Sequence, residues 1–163
     1  MAGETFRILA PEVLGPVAGA PALKALRRRG ILKAAAPCDR PPMCSKNAYN
    51  VAFGFEPQLL SRIARQGLGV KENIVDPGAG GADVLLAVPC GRPGAPPISE
   101  KNKKSHGLTG PYYYSADRGW LCMRVLRGGP RVAEAIDRIL RHFYDTGAFQ
   151  DIFRQWMATE APS

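Results

Sequence analysis

The chain has 163 residues, 45% hydrophobic and 22% charged, with 22 Lys+Arg against 14 Asp+Glu for a net charge of +8. That size and balance describe one globular domain of ordinary size, large enough to bury a real core. The positive excess favours anionic partners, small carboxylates among them; no RNA- or DNA-binding motif accompanies it, so nucleic acid is not expected.

No apolar run approaches the length needed to cross a bilayer. The opening stretch, MAGETFRILAPEVLGPVAGAPALK, does not read as a secretory signal. Glu4 is acidic, prolines break the apolar part, and no basic segment precedes it. The expectation is a chain that stays inside the cell, or one whose leader lies outside this sequence. The cysteines are Cys38, Cys44, Cys90 and Cys122, with no CxxC pair to suggest structural zinc. Cys38 and Cys44 are close enough to close a small loop in an oxidising compartment. Four unpaired thiols are the alternative, and both remain open at this point.

In chain order, residues 1–29 are poorly patterned and are set apart from residues 30–163. Phe6, Ile8 and Leu9 suggest a short strand before Pro11. Pro21–Arg29 (PALKALRRR) reads as a helix, with proline at its start, arginines in its last turn and Gly30 behind it. Residues 31–36 read as a buried strand stopped by Pro37, and the stretch to Gly54 as a long irregular loop. Gly54-Phe55-Glu56-Pro57 opens a helix whose apolar face is Leu59, Leu60, Ile63 and Ala64, ended by Gly67 and Gly69. Residues 70–81 are a glycine-rich connection. Residues 82–88 (ADVLLAV) read as a strand buried on both faces, and 89–97 as a turn-rich connector.

Residues 98–115 (ISEKNKKSHGLTGPYYYS) read as a basic loop, a Gly110-Pro111 turn and three tyrosines. Residues 120–125 are a further strand. Val132, Ile136, Ile139, Leu140 and Phe143 form the stripe of an amphipathic helix. Phe149, Ile152, Phe153, Trp156 and Met157 repeat it beyond Gly147. Strands alternating with helices imply an α/β fold with a mainly parallel sheet flanked by helices. In such sheets ligands sit outside the carboxyl ends of the strands, here on loops 37–54 and 89–114.

No catalytic constellation stands out. His106 has no fixed partner, His142 reads as a surface residue, and Glu56, Asp76, Asp83 and Asp117 are scattered. The glycines of DPGAGGAD precede a strand and lack Gly-Lys-Ser/Thr, so they are not a phosphate loop. Binding is expected over catalysis, with no cofactor and no metal.

Residues 30–163 resemble the type II periplasmic solute-binding proteins, especially the amino-acid-binding group of ABC importers. The pieces, in order, are Gly30-Ile31-Leu32-Lys33 with Pro41-Pro42-Met43, and Gly54-Phe55-Glu56 with Leu59 and Ile63. Ala82-Asp83 before an apolar strand follows, then Ile98-Ser99 with Leu108-Thr109-Gly110-Pro111-Tyr112-Tyr113. The last piece is Gly147, Ile152 and Trp156 near the end. The resemblance implies a single lobe of a periplasmic-binding-protein-like fold, because the second lobe normally inserted after the strand at 120–125 looks absent. It implies a small anionic or zwitterionic solute, such as an amino acid, bound near Met43, Arg92, Ser99, Asn102, Thr109 and Tyr112. It also implies a periplasmic location and an ABC permease as partner.

Three departures stand out. Asn102 takes the place of the family's carboxylate-gripping arginine, with Arg92 the nearby substitute. Met43 stands where an aromatic is expected. The helix before the Ala82-Asp83 strand is missing or collapsed. Ala87-Val88-Pro89-Cys90-Gly91 and Pro111-Tyr112-Tyr113-Tyr114-Ser115 also resemble solute-binding-like proteins that accompany periplasmic quinoprotein dehydrogenases. That alternative implies a protein-interaction role through Met43, Tyr112, Tyr113 and Tyr114. A small-acid dehydratase is a third reading, since a few relatives of this fold have that activity.

Overall fold

The structure is a computed structural model and describes residues 8–157. Its framework is a five-stranded sheet, built from β1 (Ile31–Ala35), β4 (Lys71–Val75), β5 (Val84–Pro89), β6 (Leu108–Ser115) and β7 (Gly119–Val125). The order across it is β4-β1-β5-β7-β6. β1 pairs in parallel with β4 and β5, while β7 runs antiparallel to both β5 and β6. Four strands therefore share one direction, and only β7 opposes them. A two-stranded ribbon, β2 (Ser45–Lys46) with β3 (Ala52–Phe53), stands apart.

Helices flank the sheet: α1 (Pro11–Leu14), α2 (Pro21–Arg29), α3 (Phe55–Arg62), α4 (Glu100–Ser105), α5 (Gly129–Thr146) and α6 (Ala148–Met157). α2 has the bounds read from the sequence: Pro21 opens it, three arginines fill its last turn, and Gly30 closes it at φ 75°. α5 buries Val132, Ala135, Ile136, Ile139, Leu140 and Phe143, the expected stripe with Ala135 added. It packs against α1, α2, α6, β6 and β7 and so ties the layers together. Leu14, Val17, Leu23 and Leu26 enter the same core as the rest of the chain.

Several local expectations are corrected. Ile8 and Leu9 form no strand; the Leu9 N–H donates to the Gln66 carbonyl at 2.9 Å, and Phe6 lies outside the described residues. Within residues 70–81 lies the edge strand β4. Its KENIV carries charge where an edge faces water, which hid it from an apolar-run reading. The loop after β1 contains the β2–β3 ribbon, turned by Asn47–Asn50 with Asn50 at φ 64°. β5 is fully buried on one face and half-buried on the other.

The basic loop before Leu108 is the helix α4, and Gly110-Pro111 is not a turn but part of β6. α4 escaped a periodicity test because EKNKKS is short and has no apolar face. Its signature was the cap: the Ser99 hydroxyl accepts from the Asn102 N–H at 3.2 Å, with Glu100 in the first turn and Lys103 and Lys104 in the last.

Candidate functional site

Because β1, β4, β5 and β6 point one way, their carboxyl ends lie along one edge of the sheet, with the start of β7 among them. Two long loops rise from that edge. The first, residues 36–54, follows β1. A Cys38–Cys44 disulfide closes it. Arg40 lies inside that ring, its Nε donating to the Pro37 carbonyl at 2.8 Å.

The loop is anchored to α3 at Gly54. The φ there is +131°, and an added Cβ would come within 2.8 Å of the Pro42 and Met43 carbonyl oxygens. Those two carbonyls instead accept from the N–H groups of Phe55 and Glu56. This fixes Glu56 pointing inward. Its carboxylate accepts from the Arg40 guanidinium and from the Tyr112 hydroxyl. The Tyr112 oxygen in turn accepts from the Ala87 N–H at 2.9 Å. Ala87 sits at φ 62°, in the irregular step of β5, a backbone conformation that a non-glycine residue holds only when its surroundings impose it. Glu56 and Tyr112 are both fully buried. The first loop, α3, β5 and β6 thus meet in one buried polar network.

Burial, and then the negative charge of Glu56, hold the Tyr112 hydroxyl protonated well above the ordinary tyrosine value. Unfolding returns it to about 10. The folded state therefore holds this proton more tightly. Its contribution is complete below about pH 10 and is lost as pH rises from there toward the folded value. Tyr144, pushed up to about 12 by burial, acts in the same direction. Melting temperature is expected to fall above pH 10, and less steeply in Tyr112→Phe, where Tyr144 still contributes.

The second loop, residues 90–98, folds back on the β6–β7 tip. A Cys90–Cys122 disulfide joins its root to β7. Cys90 N–H donates to the Trp120 carbonyl, and Trp120 N–H to the Gly91 carbonyl, both at 2.9 Å. The Trp120 indole donates to the Ala95 carbonyl at 2.8 Å, and Gly94 N–H to the Tyr114 hydroxyl at 3.0 Å. The Tyr114 and Trp120 rings lie 4.7 Å apart. Close approach requires Gly119: its φ is +81°, and a Cβ there would lie 2.1 Å from the Gly91 carbonyl oxygen. Gly119→Ala is expected to cost about 2–4 kcal/mol from backbone strain and overpacking, read by chemical denaturation.

The six sequence-predicted residues divide by position. Met43 is on the first loop and Arg92 on the second. Ser99 and Asn102 open α4, which leads away from that edge toward the start of β6. Arg92, Ser99 and Asn102 are exposed; Met43 is buried. Thr109 lies near the far end of β6, fully buried, its hydroxyl donating to Asp137 at 2.6 Å. Tyr112 is mid-strand, inside the network above. Sequence reasoning missed the Arg40–Glu56 pair, the Lys103–Asp137 pair and the Cys90–Cys122 disulfide. Among the described residues, no group of three or more His, Cys, Asp or Glu is placed to hold a metal.

Solved structures match this arrangement along nearly their whole length. An arginine-bound form of domain 1 from TmArgBP, a point mutant, is 22% identical with TM-score 0.57, covering 76% of this chain and 98% of that one. A mutant of ArgBP from T. maritima gives TM-score 0.62 at 15% identity, over 84% and 99%. This chain has the fold of the amino-acid-binding proteins. An ancestral amino-acid-binding protein, a precursor of cyclohexadienyl dehydratase, gives TM-score 0.60 at 12% identity, over 84% and 99%. No protein-family model and no curated protein matches the chain. The two loops described above lie at the carboxyl edge of the sheet, where ligands of α/β sheets are generally found. No described helix is long and apolar enough to cross a membrane.

Proposed function

We propose that this chain binds a small solute, an amino acid or another small carboxylate, on the loops at the carboxyl edge of its sheet, as one lobe acting in the periplasm. The observation that carries the reading is the sheet β4-β1-β5-β7-β6 with both loops on one edge, in a fold shared with an arginine-bound single domain. Arg92, Ser99 and Asn102 are the proposed contacts. Met43, Thr109 and Tyr112, buried here, are proposed to hold the elements on which the ligand rests. Between β7 and α5 the chain passes through residues 126–128 alone, which supports one-lobe action. The two disulfides support an oxidising compartment. An ABC permease is the proposed partner.

Binding is favoured over turnover because Glu56, the acid held beneath the first loop, is engaged by Arg40 and Tyr112. Asn102 in place of an arginine offers neutral hydrogen bonds where a charge-assisted fork would grip harder, so weak binding is expected. The test is thermal unfolding against a panel of amino acids and small carboxylates. A ligand at about 100 times its Kd adds about 2.7 kcal/mol of stability. One member is expected to raise the melting temperature, and Asn102→Ala to reduce that rise. A panel without any shift overturns the reading.

One observation favours a second reading, docking to a protein such as a periplasmic dehydrogenase. Tyr49 is 86% exposed and Val51 55%, both on the ribbon of the first loop. Retention of a dehydrogenase by the wild-type protein but not by Tyr49→Ser would favour it.

A further inference from the structure

β6 is an edge strand, yet its outer side is not open sheet. A cavity of about 480 Å³ lies there, bounded by β6, α4, α5 and α6. That volume falls in the range of small-molecule sites. Its walls are aromatic: Tyr113 and Phe153 stack with ring centroids 6.3 Å apart, and Tyr144 meets Phe149 at 4.4 Å. Arg92, Ser99, Asn102 and Met43 take no part in it; Tyr112 is the one sequence-predicted residue that lines it.

The charged groups at this cavity are not equivalent. The buried Lys103 ammonium donates to the Gly110 carbonyl at 2.8 Å and lies 3.1 Å from Glu100 and 3.3 Å from Asp137. Asp137 also accepts from the Thr109 hydroxyl at 2.6 Å and the Gly110 N–H at 2.8 Å. Tyr144 donates to the Pro111 carbonyl at 2.9 Å and stays neutral, its hydroxyl pushed up to about 12. These groups seal the first half of the β6 edge and have little left for a ligand. Arg141 differs. It follows Asp137 by one turn of α5, lines the same cavity, is exposed, and has no ion-pair or side-chain hydrogen-bond partner among the described residues. The uncommitted charge at an aromatic cavity is therefore a guanidinium, which suits a planar ring bearing a carboxylate.

We propose that this cavity on the outer side of β6 is a second binding site, taking a small aromatic carboxylate between its aromatic walls with the acid on Arg141. It does not depend on the carboxyl-edge reading. The probe is phenylacetate, titrated into the full chain and followed by the indole N–H signals in NMR. Acetate and benzylamine serve as comparisons. Trp120 lines the cavity and Trp156 does not, so a Trp156→Phe protein assigns the reporting signal.

The expected result is a saturable shift of the Trp120 signal with phenylacetate, about tenfold or more weaker in Arg141→Gln. Arg131→Gln, which removes an exposed arginine of the same helix paired with Glu134, is expected to leave binding unchanged. Benzylamine and acetate should not saturate. No saturable shift, equal affinity in Arg141→Gln, equal loss in Arg131→Gln, or equal binding of acetate or benzylamine would each overturn the proposal.

Discussion

Replacing Glu56 with alanine is expected to destabilise the protein by about 3–5 kcal/mol, because it removes one partner of a buried ion pair. Glu56 is fully buried, and its carboxylate is where Arg40 and Tyr112 converge. Without it, Arg40 keeps the Pro37 carbonyl but loses its counter-ion, with the side chain only 13% exposed. The Tyr112 hydroxyl loses its acceptor while still facing the Ala87 N–H. The loss should exceed that of Tyr112→Phe, expected at about 1–3 kcal/mol, since that change leaves the ion pair intact and strands one N–H. Urea unfolding of the two variants and of the Arg40→Met, Glu56→Leu double variant separates the contributions. The double variant is expected to recover much of the loss, as paired replacement of buried charges by apolar groups often does. A loss below 1 kcal/mol in Glu56→Ala would mean that the pair is not formed in solution.

That network marks the boundary of what sequence pattern reveals. The elements that were legible carry their signal in their own residues. α2 has proline at its start and glycine behind it, α5 a stripe at helical spacing, β1 and β5 a run of apolar residues between prolines and turn residues. β4 and α4 were not legible because each lies where it needs little apolar surface: one is a sheet edge, the other a single charged turn and a half. The order of the sheet has the same character. β7 inserts between β5 and β6, so neighbours in sequence are not all neighbours in space.

The proposed site rests on a place in the fold more than on a set of contacts. The rule that ligands meet α/β sheets at their carboxyl ends pointed to both loops. What each of the residues in question does depends on partners far along the chain. Tyr112 finds Glu56 across 56 residues, and Thr109 finds Asp137 across 28. A tyrosine set against a ligand and a tyrosine set against a buried carboxylate read alike in one dimension. The cysteines follow the same logic. Cys38 and Cys44 were near enough in sequence to suggest a ring. Cys90 and Cys122 are 32 residues apart and meet only because β5 and β7 pair.

The Cys90–Cys122 bond is expected to carry the second large effect. Closing a loop of that length restricts the unfolded chain by about 3–4 kcal/mol on the chain-entropy model, against about 2–3 kcal/mol for the shorter Cys38–Cys44 ring. The folded state adds an asymmetry. Cys122 is fully buried in β7, and Cys90 roots the loop that rests on Trp120 and Tyr114. Cys90→Ala with Cys122→Ala should therefore lower global stability and also loosen residues 90–98. Breaking Cys38–Cys44 should free the ring around Arg40 and weaken the grip on Glu56. Two measurements distinguish these sites: denaturant unfolding for the global loss, and amide exchange for its location. Faster exchange at Trp120 and Ile98 is expected in the first variant, and at Met43 and Cys44 in a Cys38→Ala variant. If the amino-acid panel then shows ligand stabilisation lost in the first variant alone, the second loop is the one that holds the solute.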